Sequence, residues 1–136
     1  MTRLATAEAQ QGELCGFRRI LVAEDDADML ALLVETLRHH GSVVHAVADA
    51  TSMRARILVF NDTLDLIVSD VRLPGGSGLC VLEDLRCTVG ATPVILMTAF
   101  SDDETRSRAH ALGATLLDKP FDMGILRAIV TPSPKR

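Results

Sequence analysis

Five polar residues stand at the ends of short apolar runs. Glu24 and Asp25 follow Ile20-Leu21-Val22-Ala23, Asp70 follows Leu64 to Ser69, Thr98 closes the run from Val94, and Lys119 follows Thr115 to Asp118. Glu24, Asp25 and Asp70 brought together would repel one another, and Lys119 would offset only part of their charge. A divalent cation would restore the balance. Hard oxygen donors without His or Cys favour magnesium, which keeps several waters and takes few carboxylates. An aspartate beside such a cation, a hydroxyl and a lysine suits phosphoryl transfer. The carboxylate can act as nucleophile and form an aspartyl phosphate. The cation and the lysine would neutralise the oxygens of the transferring group. Thr98 could donate its hydroxyl to one of those oxygens, and a carboxylate nucleophile needs no general base. The competing reading makes the acids helix N-caps, which suits Asp26 better than the Glu24, Asp25 and Asp70 group at two separate strand ends.

This chemistry needs elements that bring distant residues to one edge. Ile20 to Ala23 is a short, bounded apolar run and reads as a buried strand. From Ala27 to His40 the period changes: Met29, Leu32, Leu33, Thr36 and Leu37 form a helical stripe, with Asp26 as N-cap and Gly41 as the terminal glycine. Val43 to Val47 reads as a strand, Thr51 to Phe60 as a helix, and Leu64 to Ser69 as a third strand. The breaker-rich stretch Val71 to Gly78 reads as a flexible loop and Leu79 to Cys87 as one helix. Val94 to Thr98 is a fourth strand, Asp102 to Leu112 a helix with Ser101 as cap, Thr115 to Asp118 a fifth strand, and Asp122 to Val130 a last helix stopped by Pro132 and Pro134. Five alternations with apolar strands predict an α/β fold: a doubly wound, five-stranded parallel sheet with helices on both faces. In such sheets the ligand site lies beyond the carboxyl ends of the strands. No phosphate-cradling glycine loop follows the first strand, which disfavours a dinucleotide-binding fold.

Composition sets the outer limits. The 136 residues suffice for one domain, read here as residues 19–130, with a flexible leader at 1–18 and a tail at 131–136. The chain is 48% hydrophobic and 24% charged, which excludes a disordered or low-complexity class. No apolar run approaches the length of about 20 residues that spans a bilayer, and the leader lacks a signal peptide's apolar stretch. The net charge of −4 lacks the basic footprint of a direct nucleic-acid binder. The three cysteines, Cys15, Cys80 and Cys87, match no zinc spacing and read as reduced thiols of a cytoplasmic protein. On one helix, Cys80 and Cys87 would share a face.

In combination these motifs resemble the receiver domain of two-component response regulators, the flavodoxin-like CheY-like fold. The similarity runs from about Arg19 to Val130 and rests on five features in order: Glu24-Asp25, Asp70 with Pro74, Gly78, Thr98-Ala99 and Lys119-Pro120-Phe121. The resemblance implies that Asp70 is the phosphoacceptor, Thr98 the switch hydroxyl and Lys119 the phosphoryl-binding lysine. Glu24, Asp25, Asp70 and the main-chain carbonyl of Arg72 would hold Mg2+. Lys119-Pro120 would be a cis peptide. The donor would be a phosphohistidine on a sensor histidine kinase or phosphotransfer protein, and an unknown downstream protein would read the result. A homodimer through the fourth helix, fifth strand and fifth helix is a further expectation. The chain would catalyse its own aspartyl phosphorylation and dephosphorylation without being a conventional enzyme.

Leu116 stands where the family often has Tyr or Phe, so it offers no ring for the usual readout. Arg72 and Phe100 would flank the phosphoryl group and slow its hydrolysis. His39, His40, His45 and His110 read as surface histidines. Two other functions compete with the phosphoacceptor. One is a phosphorylation-independent docking module on the same fold. The other is an aspartyl-phosphate hydrolase, disfavoured because Arg72 stands where a second acid would be needed.

Overall fold

The computed structural model describes residues 19–38 and 42–130. The expected leader, tail, Cys15, His39, His40 and the terminal glycine at Gly41 lie outside them. The strands are β1 (Arg19–Ala23), β2 (Val43–Val47), β3 (Leu66–Asp70), β4 (Val94–Thr98) and β5 (Thr115–Asp118). The helices are α1 (Ala27–Leu37), α2 (Ala50–Phe60), α3 (Gly78–Asp84), α4 (Arg86–Val89), α5 (Asp103–Ala111) and α6 (Met123–Val130). The sheet order is β2-β1-β3-β4-β5 and every pair is parallel, as the alternation predicts.

Strand residues alternate between two cores. Leu21, Ile67 and Leu96 face Met53, Ile57, Leu79 and Leu82 on one side. Ile20, Val22, Val68 and Met97 face Leu33, Leu37 and Leu126 on the other. Burial on both faces makes the strands continuously apolar, and each fully buried Leu, Ile or Met contributes about 1.5–3 kcal/mol. β3 and β4 are buried at every position. Their polar ends, Asp70 and Thr98, are therefore carried on the two fully buried strands of the sheet.

Local chemistry sets most helix starts. Asp26 Oδ1 accepts from the amides of Asp28 and Met29, and Asp49 Oδ1 accepts from Ser52 N at 2.7 Å. Helix α5 corrects an expectation: its cap is Asp102, whose Oδ1 accepts from Thr105 N at 2.8 Å, not Ser101. Ser101 instead receives the Arg106 guanidinium on its carbonyl and hydroxyl, both at 3.0 Å. The two candidates are adjacent, and an ionised carboxylate is the stronger acceptor for an amide.

Three more expectations need correction. The helix read over Leu79 to Cys87 is broken at Leu85, which leaves helical geometry at φ −102°, ψ 24°. Cys80 and Cys87 consequently sit on separate helices, both exposed. The stretch after Asp70 is a tied structure rather than a free loop. Arg72-Leu73 pairs antiparallel with Gly76-Ser77, Ser77 Oγ donates to Val71 O at 2.8 Å, and Ala50 N donates to Pro74 O at 3.0 Å. His45 is partly buried rather than a surface residue. Its ring packs 4.4 Å from the Phe60 ring, and the Arg19 guanidinium lies over that Phe60 ring, 4.9 Å from its centroid. The His45 Nε2 is shielded and has no hydrogen-bond partner among the described residues. That burial, with Arg19 and then Arg56 nearby, holds the imidazole pKa below its usual value.

Candidate functional site

Parallel pairing carries the five expected residues to one edge of the sheet. Ala23 is level with Ser69, Asp70 with Met97, and Thr98 with Asp118. Glu24, Asp70, Thr98 and Lys119 thus emerge side by side at the carboxyl ends of β1, β3, β4 and β5. From β1 the chain crosses to β2 on one side, then from β2 back past β1 to β3 on the other, so this edge is the topological switch point. Main-chain bonds fix the strand exits: Glu24 N donates to Val47 O, Val71 N to Met97 O at 2.7 Å, and Lys119 N to Thr98 O at 2.7 Å. The Lys119-Pro120 bond is cis, as expected.

The carboxylate oxygens of Glu24, Asp25 and Asp70 lie within 4.8 Å of one another. Glu24 is 1% exposed and Asp70 9%, whereas Asp25 is open to solvent. Lys119 Nζ donates to Glu24 Oε1 at 2.7 Å and to Asp70 Oδ2 at 2.9 Å. The second Glu24 oxygen accepts from Asp26 N at 3.1 Å. Burial pulls the Lys119 pKa down, but the bonds to Glu24 and Asp70 outweigh it and the net shift is upward. The ammonium therefore stays charged across the physiological range; it bonds two of the three acids but offsets only one of their three charges. An all-oxygen donor set, partly buried and still net negative, fits a hard divalent cation.

Thr98 is 2% exposed and stands at this edge, but its hydroxyl is engaged elsewhere. Oγ1 donates to Phe100 O at 2.8 Å and accepts from Phe100 N at 3.1 Å. The hydroxyl is thus tied to the loop that leads into α5 rather than to Asp70. Arg72 is exposed and Phe100 is 68% exposed, so both side chains stand in solvent at the rim. Leu116 is partly buried and packs against the core that lies under α2 and α3.

Two residues support Asp70 from behind. Ser69 is fully buried, and its hydroxyl donates to the Asp70 carbonyl at 2.8 Å. Sequence reasoning missed it. The available signal was a lone hydroxyl closing an otherwise apolar strand directly before the acid. Gly78 packs against the same point: a Cβ there would come 2.2 Å from Ser69 Oγ and 2.3 Å from the Asp70 carbonyl oxygen. Only glycine allows α3 to start this close to the strand end. Beside the acids, Met29, Leu32, Pro120, Phe121 and Met123 line an apolar groove of about 600 Å3 between α1 and the start of α6.

Comparison with known proteins agrees with this geometry. The family described as response regulator receiver domain matches residues 20–131. The response regulator protein PilR of Pseudomonas aeruginosa is 34% identical over 115 residues, which cover 83% of this chain and 25% of that protein. Protein PetR of Rhodobacter capsulatus is 41% identical over 106 residues, 76% of this chain and 43% of PetR. The non-phosphorylated HemR receiver domain of Leptospira biflexa superposes with a TM-score of 0.73 at 27% identity, covering 88% of this chain and 98% of that one. The chain spans between a quarter and about half the length of the curated relatives it matches.

Proposed function

The chain belongs to the response regulator receiver domain family of two-component signalling, and we propose that it is an active phosphoacceptor rather than a docking remnant of that family. The unit spans residues 19–130. Asp70 takes a phosphoryl group from a phosphohistidine of a sensor histidine kinase or phosphotransfer protein. The single observation that carries this reading is the Lys119 ammonium, held 2.9 Å from Asp70 and 2.7 Å from Glu24 at the strand ends. A docking module would have no use for a half-buried lysine and three converging acids.

In the reaction an Asp70 carboxylate oxygen attacks phosphorus. The oxygen–phosphorus bond forms as the phosphorus–nitrogen bond breaks, and the imidazole leaves with that electron pair. Glu24, Asp25, Asp70 and the Arg72 carbonyl would hold Mg2+, which when bound supplies positive charge for the phosphoryl oxygens. Lys119 adds a fixed positive charge on the same side. Asp70 is oriented by the Ser69 and Gly78 contacts behind it. Thr98 turns its hydroxyl from Phe100 to a phosphoryl oxygen and so links the reaction to α5.

The apolar groove beside the acids supports docking of the phosphodonor there, with Leu32, 45% exposed, at its rim. Ile125 and Ile129 of α6 are 48% and 41% exposed, and they support a downstream contact or a homodimer on the face of α5, β5 and α6. Among the described residues no helix is long and apolar enough to cross a membrane. A cytoplasmic setting suits the phosphodonor and the exposed thiols of Cys80 and Cys87.

The test is intact-mass analysis after incubation with acetyl phosphate, with and without Mg2+. One magnesium-dependent phosphoryl adduct, absent from Asp70→Asn, is the expected result. No adduct, together with no binding of beryllofluoride, would leave the docking module as the better account.

A further inference from the structure

We propose that the ion pair between Arg108 and Glu83 is a latch: it holds helix α5 in its resting seat and sets how readily the chain switches. The inference rests on the phosphoacceptor reading above. Helix α5 is a polar helix whose one buried side chain is Ala109. Little apolar burial therefore fixes its position, and such an element is a natural mobile unit. Its fasteners to the rest of the domain are polar. Arg108 Nε donates to Glu83 Oε2 at 2.9 Å and Nη2 donates to Oε1 at 2.6 Å, a two-pronged contact from α5 to α3. Arg86 Nη2 on α4 donates to the Ala111 carbonyl, the last residue of α5, at 2.7 Å. A small pocket of about 70 Å3, open to solvent, lies between Leu82, Arg86, Val89, Val94, Ala111 and Leu112. Side chains that line an open pocket already meet water, so leaving this seat exposes less new apolar surface than leaving a filled core.

The other end of α5 is tied to the reaction. Thr98 Oγ1 makes both of its described bonds to the Phe100 backbone, in the segment that runs into Asp102 and the helix. When the hydroxyl turns to a phosphoryl oxygen, both bonds break and the entry to α5 is released. The Arg108 fork then remains as a brake. Its two side chains are 35% and 34% exposed, so the pair is strong in geometry and moderated by water. Arg108 holds the Glu83 carboxyl below its usual pKa, so the pair is charged at neutral pH. A contact of that strength biases a two-state helix without locking it.

The test titrates beryllofluoride with Mg2+ into the unsubstituted protein, Glu83→Gln and Arg108→Lys by calorimetry. Amide hydrogen exchange over α5 is followed in the same proteins without ligand. Both positions are partly exposed, and retained exchange protection in β3 and β4 verifies folding. Glu83→Gln is expected to bind beryllofluoride about fivefold more tightly, because a larger share of molecules already has α5 released. Its α5 amides exchange faster. Arg108→Lys keeps the charge but loses the fork, and falls between the two. Unchanged or weaker binding in Glu83→Gln overturns the latch, even if exchange over α5 quickens. No binding by the unsubstituted protein overturns the phosphoacceptor reading, and the latch with it.

Discussion

Lys119 Nζ stands 2.9 Å from Asp70 Oδ2, across 49 positions of sequence, and the same ammonium holds Glu24 Oε1 at 2.7 Å. The lysine thereby serves as the counterion of the acid group. Any cation that enters the group shares these two carboxylates with it.

Replacing Lys119 with Met should therefore separate two effects. Glu24 is 1% exposed and would be left charged without its partner, which costs about 3–5 kcal/mol in buried pairs and somewhat less here, with Lys119 partly exposed. Without the competing ammonium, Mg2+ should bind on the order of tenfold more tightly. Thermal melting with and without Mg2+ checks both: a lowered midpoint that the metal restores. An Mg2+ affinity equal to that of the unsubstituted protein would refute the competition.

Gly78→Ala places a methyl group 2.2 Å from Ser69 Oγ and 2.3 Å from the Asp70 carbonyl oxygen. Backbone must shift to admit it, at a cost of about 1–3 kcal/mol. Phosphoryl uptake from acetyl phosphate should fall together with stability, because the Asp70 carbonyl and the Ser69 hydroxyl behind it are the atoms displaced. Normal uptake in a stable variant would show that Asp70 does not need this support.

Thr98→Ala removes the hydroxyl that bonds Phe100 at 2.8 and 3.1 Å. The loss should cost about 1 kcal/mol. Asp70 should still take the phosphoryl group, since Thr98 Oγ1 does not contact it in the resting state. The exchange rate of α5 amides should then no longer respond to beryllofluoride, which hydrogen-exchange mass spectrometry reads directly.

Arg72 and Phe100 project from the rim, Phe100 at 68% exposure. If they hinder the attacking water, Phe100→Ala and Arg72→Ala should each shorten the life of the aspartyl phosphate several-fold. Decay of the mass adduct after removal of the donor measures it. An unchanged lifetime in both variants would make these side chains bystanders.

His45 predicts a pH dependence. Its folded pKa is depressed by burial and by Arg19 and Arg56. Above the unfolded value of about 6.5 the ring is neutral in both states and the contribution is complete. As pH falls through 6.5 toward the folded value, the unfolded chain takes the proton first and stability is lost. Melting midpoints at pH 7.5 and 5.5 (buffer settings, about one unit either side of 6.5) should differ less in His45→Phe than in the unsubstituted protein. Equal differences would remove His45 as the cause.

The strands, most helix starts and the identity of the acid group were legible in the sequence, because each depends on neighbours along the chain. Apolar runs such as Ile20 to Ala23 mark buried strands, and Asp26 caps the helix that follows it. The polar residue that ends each run is the one the sheet brings to its edge. Choices between equivalent partners were decided only in three dimensions. Asp102 caps α5 where Ser101 was also available, and the helix after Gly78 breaks at Leu85 within a run that reads as continuous. Ser69 supports Asp70 because parallel β3 turns its hydroxyl toward Gly78, and Thr98 bonds the Phe100 backbone at the same edge of the sheet. Arg108 reaches Glu83 over 25 positions, a pairing that several other acids on the chain could have satisfied. Local propensity acts over a few residues, whereas a side chain with several possible partners takes the one that packing brings within hydrogen-bonding distance.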